Sequence, residues 1–218
     1  MFADIGTDHA LLPIYLLKIG RIERAILSDI NEGPLASARA NAQECGVTDR
    51  VELVLADGAA ALADKGVTDV AIFGMGGELI ADIIERAPFL KNKSIRLILQ
   101  PMTKQEHLCR YLYDTGFSVV GESYTKDAGK FYRTLCAEYS GVRRDPDEDF
   151  IHVGGSDTPC EEFEAKIGYL TAHLSSRRHA LAGKGAAGLD ASEDARVIEI
   201  IEKELERLVS FCSLGENE

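Results

Sequence analysis

The 218-residue sequence has no tryptophan, six prolines and five cysteines, with no Cys-x-x-Cys pair among them. The scattered, odd-numbered set Cys45, Cys109, Cys136, Cys160 and Cys212 argues against a zinc ribbon or a disulfide framework and for reduced thiols in a cytoplasm. Long apolar runs are missing too. The longest, residues 10–17, is broken by Pro13 and is far shorter than the ~20 residues of a membrane span. No basic, apolar and small-residue succession marks a secretion signal, and no Gly-x-Ser-x-Gly or Cys-His arrangement suggests nucleophilic catalysis. Cationic excess is also lacking: 24 Lys and Arg against 36 Asp and Glu leave a formal charge of −12, which opposes a polyanionic partner at long range. That deficit is uneven. Residues 1–140 hold 15 cations and 19 anions and the rest 9 and 17, so the acidity is concentrated in the tail.

What is present is a chain with 45% hydrophobic residues, enough to bury a core. Up to about residue 140, short β-branched runs alternate with longer amphipathic ones, the pattern of a parallel sheet covered by helices. Strands are expected at 2–5, 24–28, 51–55, 70–73 and 95–99, each followed by helix-like sequence, with Pro34 suited to a first helical turn. Segments 117–124 and 131–139 read as a hairpin joined by a turn at 126–130. Five βα units closed by an antiparallel hairpin predict an α/β, Rossmann-like, seven-stranded sheet of the class I methyltransferase type. From residue 142 the sequence becomes charged, then turn-forming. Ile167, Leu170, Leu174 and Leu181, then Val197, Ile201, Leu205, Leu208 and Cys212, recur at three- and four-residue steps. This predicts a C-terminal helical hairpin with a coiled-coil-like seam, its two helices separated by a flexible GKGAAGLD loop, with Asp190 or Ser192 capping the second. The expected domains are therefore 1–141 and 142–218.

The chemistry-bearing residues cluster at strand ends. Asp4-Ile5-Gly6-Thr7-Asp8-His9 puts two carboxylates, a glycine and a histidine in one turn. Glycine lets a ligand approach the backbone, and a helix N-terminus follows. The dinucleotide pattern Gly-x-Gly-x-x-Gly is absent, and Asp8 would repel a pyrophosphate but attract a sulfonium or an α-amino group. A cap on a helix is an equal reading of this motif taken alone. A metal is not expected, since no second histidine cluster supports one. Asp29, followed by Ile30, ends the second strand about 20 residues beyond Gly6, where doubly wound folds place an acid against ribose hydroxyls. Asp57-Gly58 ends the third, where a carboxylate could take an adenine amino group or merely make a turn. Gly74-Met75-Gly76-Gly77 ends the fourth; three glycines in four residues imply a close ligand or positive φ. Gln100 ends the fifth, placed to meet a base edge or to cap a helix.

Taken in order, ADIGTDHALLPIYL, SDINEGPLASARAN, LADGAAAL, FGMGGELI, LILQP and GKFYRTL resemble the bacterial tRNA (adenine-22-N1)-methyltransferases. The resemblance implies S-adenosyl-L-methionine as cofactor, bound by Asp4, Gly6, Thr7, His9, Asp29, Ile30, Asp57, Gly58 and residues 74–77, and methyl transfer to N1 of an adenine in tRNA. It also implies a helical segment ahead of ADIG, where this sequence has only Met1 and Phe2, and a basic surface for tRNA. Candidates for that surface are Arg21, Arg24, Lys91, Lys93, Lys126, Lys130, Arg133, Arg177 and Arg178. On the pairing edge, N1 is reached only if the base leaves its stack. The catalytic candidates are Asp8, accepting from the exocyclic amine, and Gln100, orienting the base. Expected partners are tRNA but no membrane or metal, in a cytoplasmic monomer or weak homodimer. The rival readings are a methyltransferase for a small molecule or protein, and a non-catalytic cofactor-binding scaffold.

Overall fold

Buried β-branched runs set the architecture. The structure, a computed structural model, describes residues 1–215, with side chains as far as Phe211. Strands β1 (Phe2–Ile5), β2 (Ala25–Asp29), β3 (Val51–Leu55), β4 (Asp69–Gly76), β5 (Arg96–Thr103), β6 (Phe117–Asp127) and β7 (Lys130–Tyr139) form one seven-stranded sheet in the order β3-β2-β1-β4-β5-β7-β6. The first five run parallel, and β7 pairs antiparallel to β5, with Leu97 opposite Ala137. β1, β2 and β4 bury Ala3, Ile26, Leu27, Val70, Ala71 and Ile72 completely, as expected of parallel strands covered on both faces.

Helices α1 (Leu11–Lys18), α2 (Glu32–Glu44), α3 (Gly77–Glu85) and α4 (Gln105–Asp114) link the strands. α1 ends where Gly20 takes φ +70° and the Arg21 N–H returns to Leu16 O. α2 ends the same way, at Gly46, with the Val47 N–H on Ala42 O. Ile14 and Leu17 of α1 and Ala38 and Ala42 of α2 pack with Phe2, Ala25 and Leu27 in one core cluster.

The chain divides into two compact units, one of residues 1–121 and 135–145, the other of residues 122–134 and 146–218. In the second, helices α5 (Glu148–Val153), α6 (Phe163–Ala186) and α7 (Ser192–Gly215) surround Leu170, Leu174, Val197, Ile201 and Leu208 of the seam read from the sequence, with its Ile167, Leu181 and Leu205 partly buried against them and Phe163 joining from outside that reading. Cys212 falls beyond the described side chains. Two expectations are corrected here. α5 arises within the acidic stretch, capped by the Asp147 side chain accepting from the Asp149 N–H. GKGA continues α6 instead of looping out, so the break between helices begins only at Ala187, and Asp190 Oδ1 accepts from the Ser192 N–H at 2.9 Å.

The same unit contains a buried polar network. The Arg133 side chain is fully buried, its guanidinium reaching Glu122 at 2.8 Å and the carbonyl oxygens of Phe150 and Ile151. Lys166, also fully buried, donates to Gly155 O at 2.7 Å and pairs with Glu204 at 3.0 Å; burial lowers its pKa. Burial alone would raise the Glu204 pKa, but hydrogen bonds from Arg207 and Lys166 outweigh it and hold the carboxyl below its usual range.

Candidate active site

In the strand order β3-β2-β1-β4-β5 the chain reverses its winding direction between β1 and β4, and a crevice opens at the carboxyl ends of strands at such a point. Residues near those ends lie along the crevice as Asp57 and Gly6, just beyond β3 and β1, Asp29 at the end of β2, and Gly74 and Gln100 in the closing stretches of β4 and β5. The four strand spacings between them, at about 4.8 Å each, amount to about 19 Å. The sequence had singled out one residue or more at each of these five ends.

Beyond β1 the backbone turns sharply. Gly6 takes φ +76°, the Gly6 and Thr7 N–H groups both donate to Ser28 O on β2 at 2.8 and 3.1 Å, and Ala10, at φ 55°, starts α1 without a capping side chain. A side chain at position 6 would collide with the terminal methyl of Met75, so Met75 crosses from β4 to lie over Gly6. Thr7 Oγ1 and Ser28 Oγ are buried without a hydrogen bond of good geometry. Asp4 lies within β1, and desolvation pushes its pKa up to about 6. The Thr7 side chain opposes that shift. Asp8 is exposed, and its Oδ2 stands 3.3 Å from His9 Nε2, while His9 O accepts from Asn41 Nδ2.

On β2, Asp29 Oδ1 accepts from the Asn31 N–H at 2.7 Å, and Ile30 beyond it is 61% exposed, an apolar surface at the crevice edge. Asp57 Oδ2 accepts from Arg86 Nη1 at 2.8 Å, and Gly58 follows with φ +74°. Arg86 escaped the sequence reading; its signal was the i,i+4 pair with Asp82, here at 3.0 Å.

β4 and β5 run further than expected, through residues 74–76 and 100–103. Gly77, the first residue of α3, admits no side chain, since a Cβ there would meet Lys104 O. Gln100 does not present a free amide to the crevice: its Oε1 accepts from the Gly74 N–H at 3.0 Å, and its Nε2 faces Pro101 O at 3.3 Å and Met102 Sδ at 3.4 Å.

The cations expected to face a polyanion are mostly engaged elsewhere. Besides Arg133, Lys126 pairs with Glu164, Arg177 with Asp194, Arg178 with Glu202 and Lys91 with Glu85. Arg21, Arg24 and Lys93 precede β2 and β5 and so lie toward the amino edge of the sheet, away from the crevice. Lys130 opens β7. Among the described residues, no group of three or more His, Cys, Asp or Glu is arranged to hold a metal, and no helix is long and apolar enough to cross a membrane.

Residues 1–135 match the family model described as a methyltransferase domain. The tRNA (adenine(22)-N(1))-methyltransferase of Bacillus subtilis (strain 168) is 33% identical over 138 residues, 63% of this chain and 58% of that protein. The chain matches less than two thirds of the length of its two curated relatives, 58% and 60%. Streptococcus pneumoniae Sp1610, a candidate tRNA (m1A22) methyltransferase, superposes with a TM-score of 0.79 at 31% identity, over 94% of this chain and 92% of that one. The same protein in complex with S-adenosyl-L-methionine gives 0.78, over 94% and 91%. With the domain model matched over more than half of its length, and Sp1610 along nearly all of it, the chain belongs to the methyltransferase-domain family and, within it, to the group of the tRNA (m1A22) methyltransferases.

Proposed function

We propose that the chain transfers the methyl group of S-adenosylmethionine to N1 of an adenine in tRNA, position 22 by its family. One observation carries this reading: two glycines at positive φ, Gly6 and Gly74, flank the β1–β4 crevice, with carboxylates at Asp4, Asp29 and Asp57 on one side. The Sp1610 complex with S-adenosyl-L-methionine supports the cofactor. The residues present fit it. Thr7 Oγ1, buried without a hydrogen-bond partner, suits a ligand that brings polar atoms, and exposed Gly74, with open space where a side chain would stand, lets one come close to the backbone.

When bound, S-adenosylmethionine supplies an electrophilic methyl on a sulfonium. Asp4, Gly6 and Thr7 face its charged end, Asp29 keeps Oδ2 for ribose hydroxyls, Ile30 offers the adenine an apolar face, and Asp57 keeps Oδ1 for the amino group. Gly58, Gly74, Met75, Gly76 and Gly77 shape the opposite wall, and His9 backs Asp8. The N1 lone pair forms the new N–C bond as the S–C bond breaks, leaving a cationic N1-methyladenine and a neutral thioether; alignment is the main requirement. Asp8 accepts from the exocyclic amine and so offsets the positive charge developing on the ring. The chain acts in the cytoplasm, as a monomer or weak homodimer; Cys45, Cys136 and Cys160 form no disulfide, as a reducing compartment would keep them.

The test is methyl transfer to a transcript tRNA with adenine at position 22 and to one with that adenine replaced, followed by nucleoside mass analysis. N1-methyladenosine in the first alone upholds the reading. Cofactor binding with no transfer to either tRNA favours a small-molecule or protein substrate, a reading supported by the internal pairing of Arg133, Arg177 and Arg178.

A further inference from the structure

The geometry points to Gln100 as a positioning residue that sets the shape of the cofactor crevice through the backbone of Gly74, without touching the base. The pairing of β4 with β5 slips at this point: Phe73 lies opposite Gln100, Met75 opposite Pro101 and Gly76 opposite Thr103, leaving Gly74 as the extra residue of a bulge. A bulged residue loses its ladder partner, so the Gly74 N–H needs an acceptor from outside the ladder. The Gln100 side chain fills that gap, its Oε1 taking the Gly74 N–H at 3.0 Å while its Nε2 is turned to Pro101 O and Met102 Sδ.

Gln100 is 9% exposed as a residue, although Gly74 itself is exposed. Both ends of the amide are thus occupied within the protein, and reading a base edge would require breaking one of them. The bulge matters because it directs the following residue. Gly74 holds φ +76°, and Met75 leaves it to lie over Gly6 on the neighbouring strand. Fixing Gly74 therefore fixes the distance between the two glycine turns that a cofactor must enter, and Gln100 acts on affinity through them.

This inference rests on the cofactor reading above, so the experiment has one arm that depends on it and one that does not. Q100L removes both polar ends, Q100N keeps an amide too short to reach Gly74, and Q100E keeps an acceptor on Gly74. In the independent arm, hydrogen exchange of the Gly74 amide is protected in wild type and Q100E and fast in Q100L and Q100N. In the dependent arm, calorimetry with S-adenosylhomocysteine gives about fivefold weaker binding for Q100L and Q100N, the worth of one neutral hydrogen bond, with recovery in Q100E. KM for tRNA at saturating cofactor stays unchanged in all three.

Unchanged Gly74 protection in Q100L and Q100N overturns the inference. So does lost protection with unaltered affinity, or a raised KM for tRNA in Q100E. If wild type itself fails to bind S-adenosylhomocysteine, the cofactor reading falls and the exchange arm alone decides whether Gln100 fixes the bulge.

Discussion

The Arg86 guanidinium stands 2.8 Å from Asp57 Oδ2 and 3.0 Å from Asp82 Oδ2, joining the last turn of α3 to the residue beyond β3. All three side chains are substantially exposed, so solvent screens the pair and it adds little to stability. Its effect is on orientation. R86A is expected to weaken S-adenosylhomocysteine binding about two- to fivefold in calorimetry, because Asp57 loses the partner that holds its carboxylate. The thermal midpoint should move by no more than about 3 °C.

Asp8 is the residue proposed to touch the substrate base. Being exposed, it can be removed at little cost to the fold. D8A should lower kcat at saturating cofactor and tRNA by about a hundredfold while leaving cofactor affinity within about twofold, a split that single-turnover kinetics and calorimetry measure together. Wild-type turnover in D8A would remove the assignment.

Asp4 couples the site to pH. Its carboxyl keeps its proton to about pH 6 in the native chain but ionises near 3.8 when exposed. Between those values the folded state binds more protons than the unfolded one, so stability falls as pH rises from about 3.8 to about 6 and is level above. D4N, which never ionises, should raise the thermal midpoint above pH 6, the gain vanishing below about pH 3.8. Cofactor affinity should run the opposite way in wild type, weakening as pH drops through about 6, because the cationic ligand needs the carboxylate. Calorimetry in two buffers of different ionisation enthalpy at pH 5.5 should register proton release on binding.

Arg133 predicts the largest loss of stability. Its buried guanidinium satisfies Glu122 and two backbone carbonyls, so R133L should cost about 3–5 kcal/mol in chemical denaturation of the full chain by stranding the Glu122 carboxylate. Adding E122L should recover part of the loss, since no unpaired charge then remains.

The sheet and the residues lining its carboxyl edge were legible because they rest on local signals: β-branched runs broken by Asp and Gly, and glycines spaced as tight turns require. What was not legible depends on partners distant in sequence. Arg133 looked like a surface cation in GKFYRTL, and only Glu122 on the neighbouring strand and the carbonyls of α5 make it a core residue. Gln100 looked like a base reader at a strand end, but a register slip between β4 and β5 gave its amide a backbone target, and no single strand encodes such a slip. Gly183 and Gly185 suggested a loop, yet α6 runs through both, and helix packing outweighs the roughly 1 kcal/mol that each glycine costs a helix.

Met75 gives the crevice a compliant partition where a branched or aromatic side chain would have built a rigid wall. An unbranched thioether chain with three rotors can yield to ligands of slightly different bulk while the glycine turns on either side stay still. In the proposed reaction, a swing of this one side chain is enough to accommodate both a charged sulfonium and its smaller neutral product.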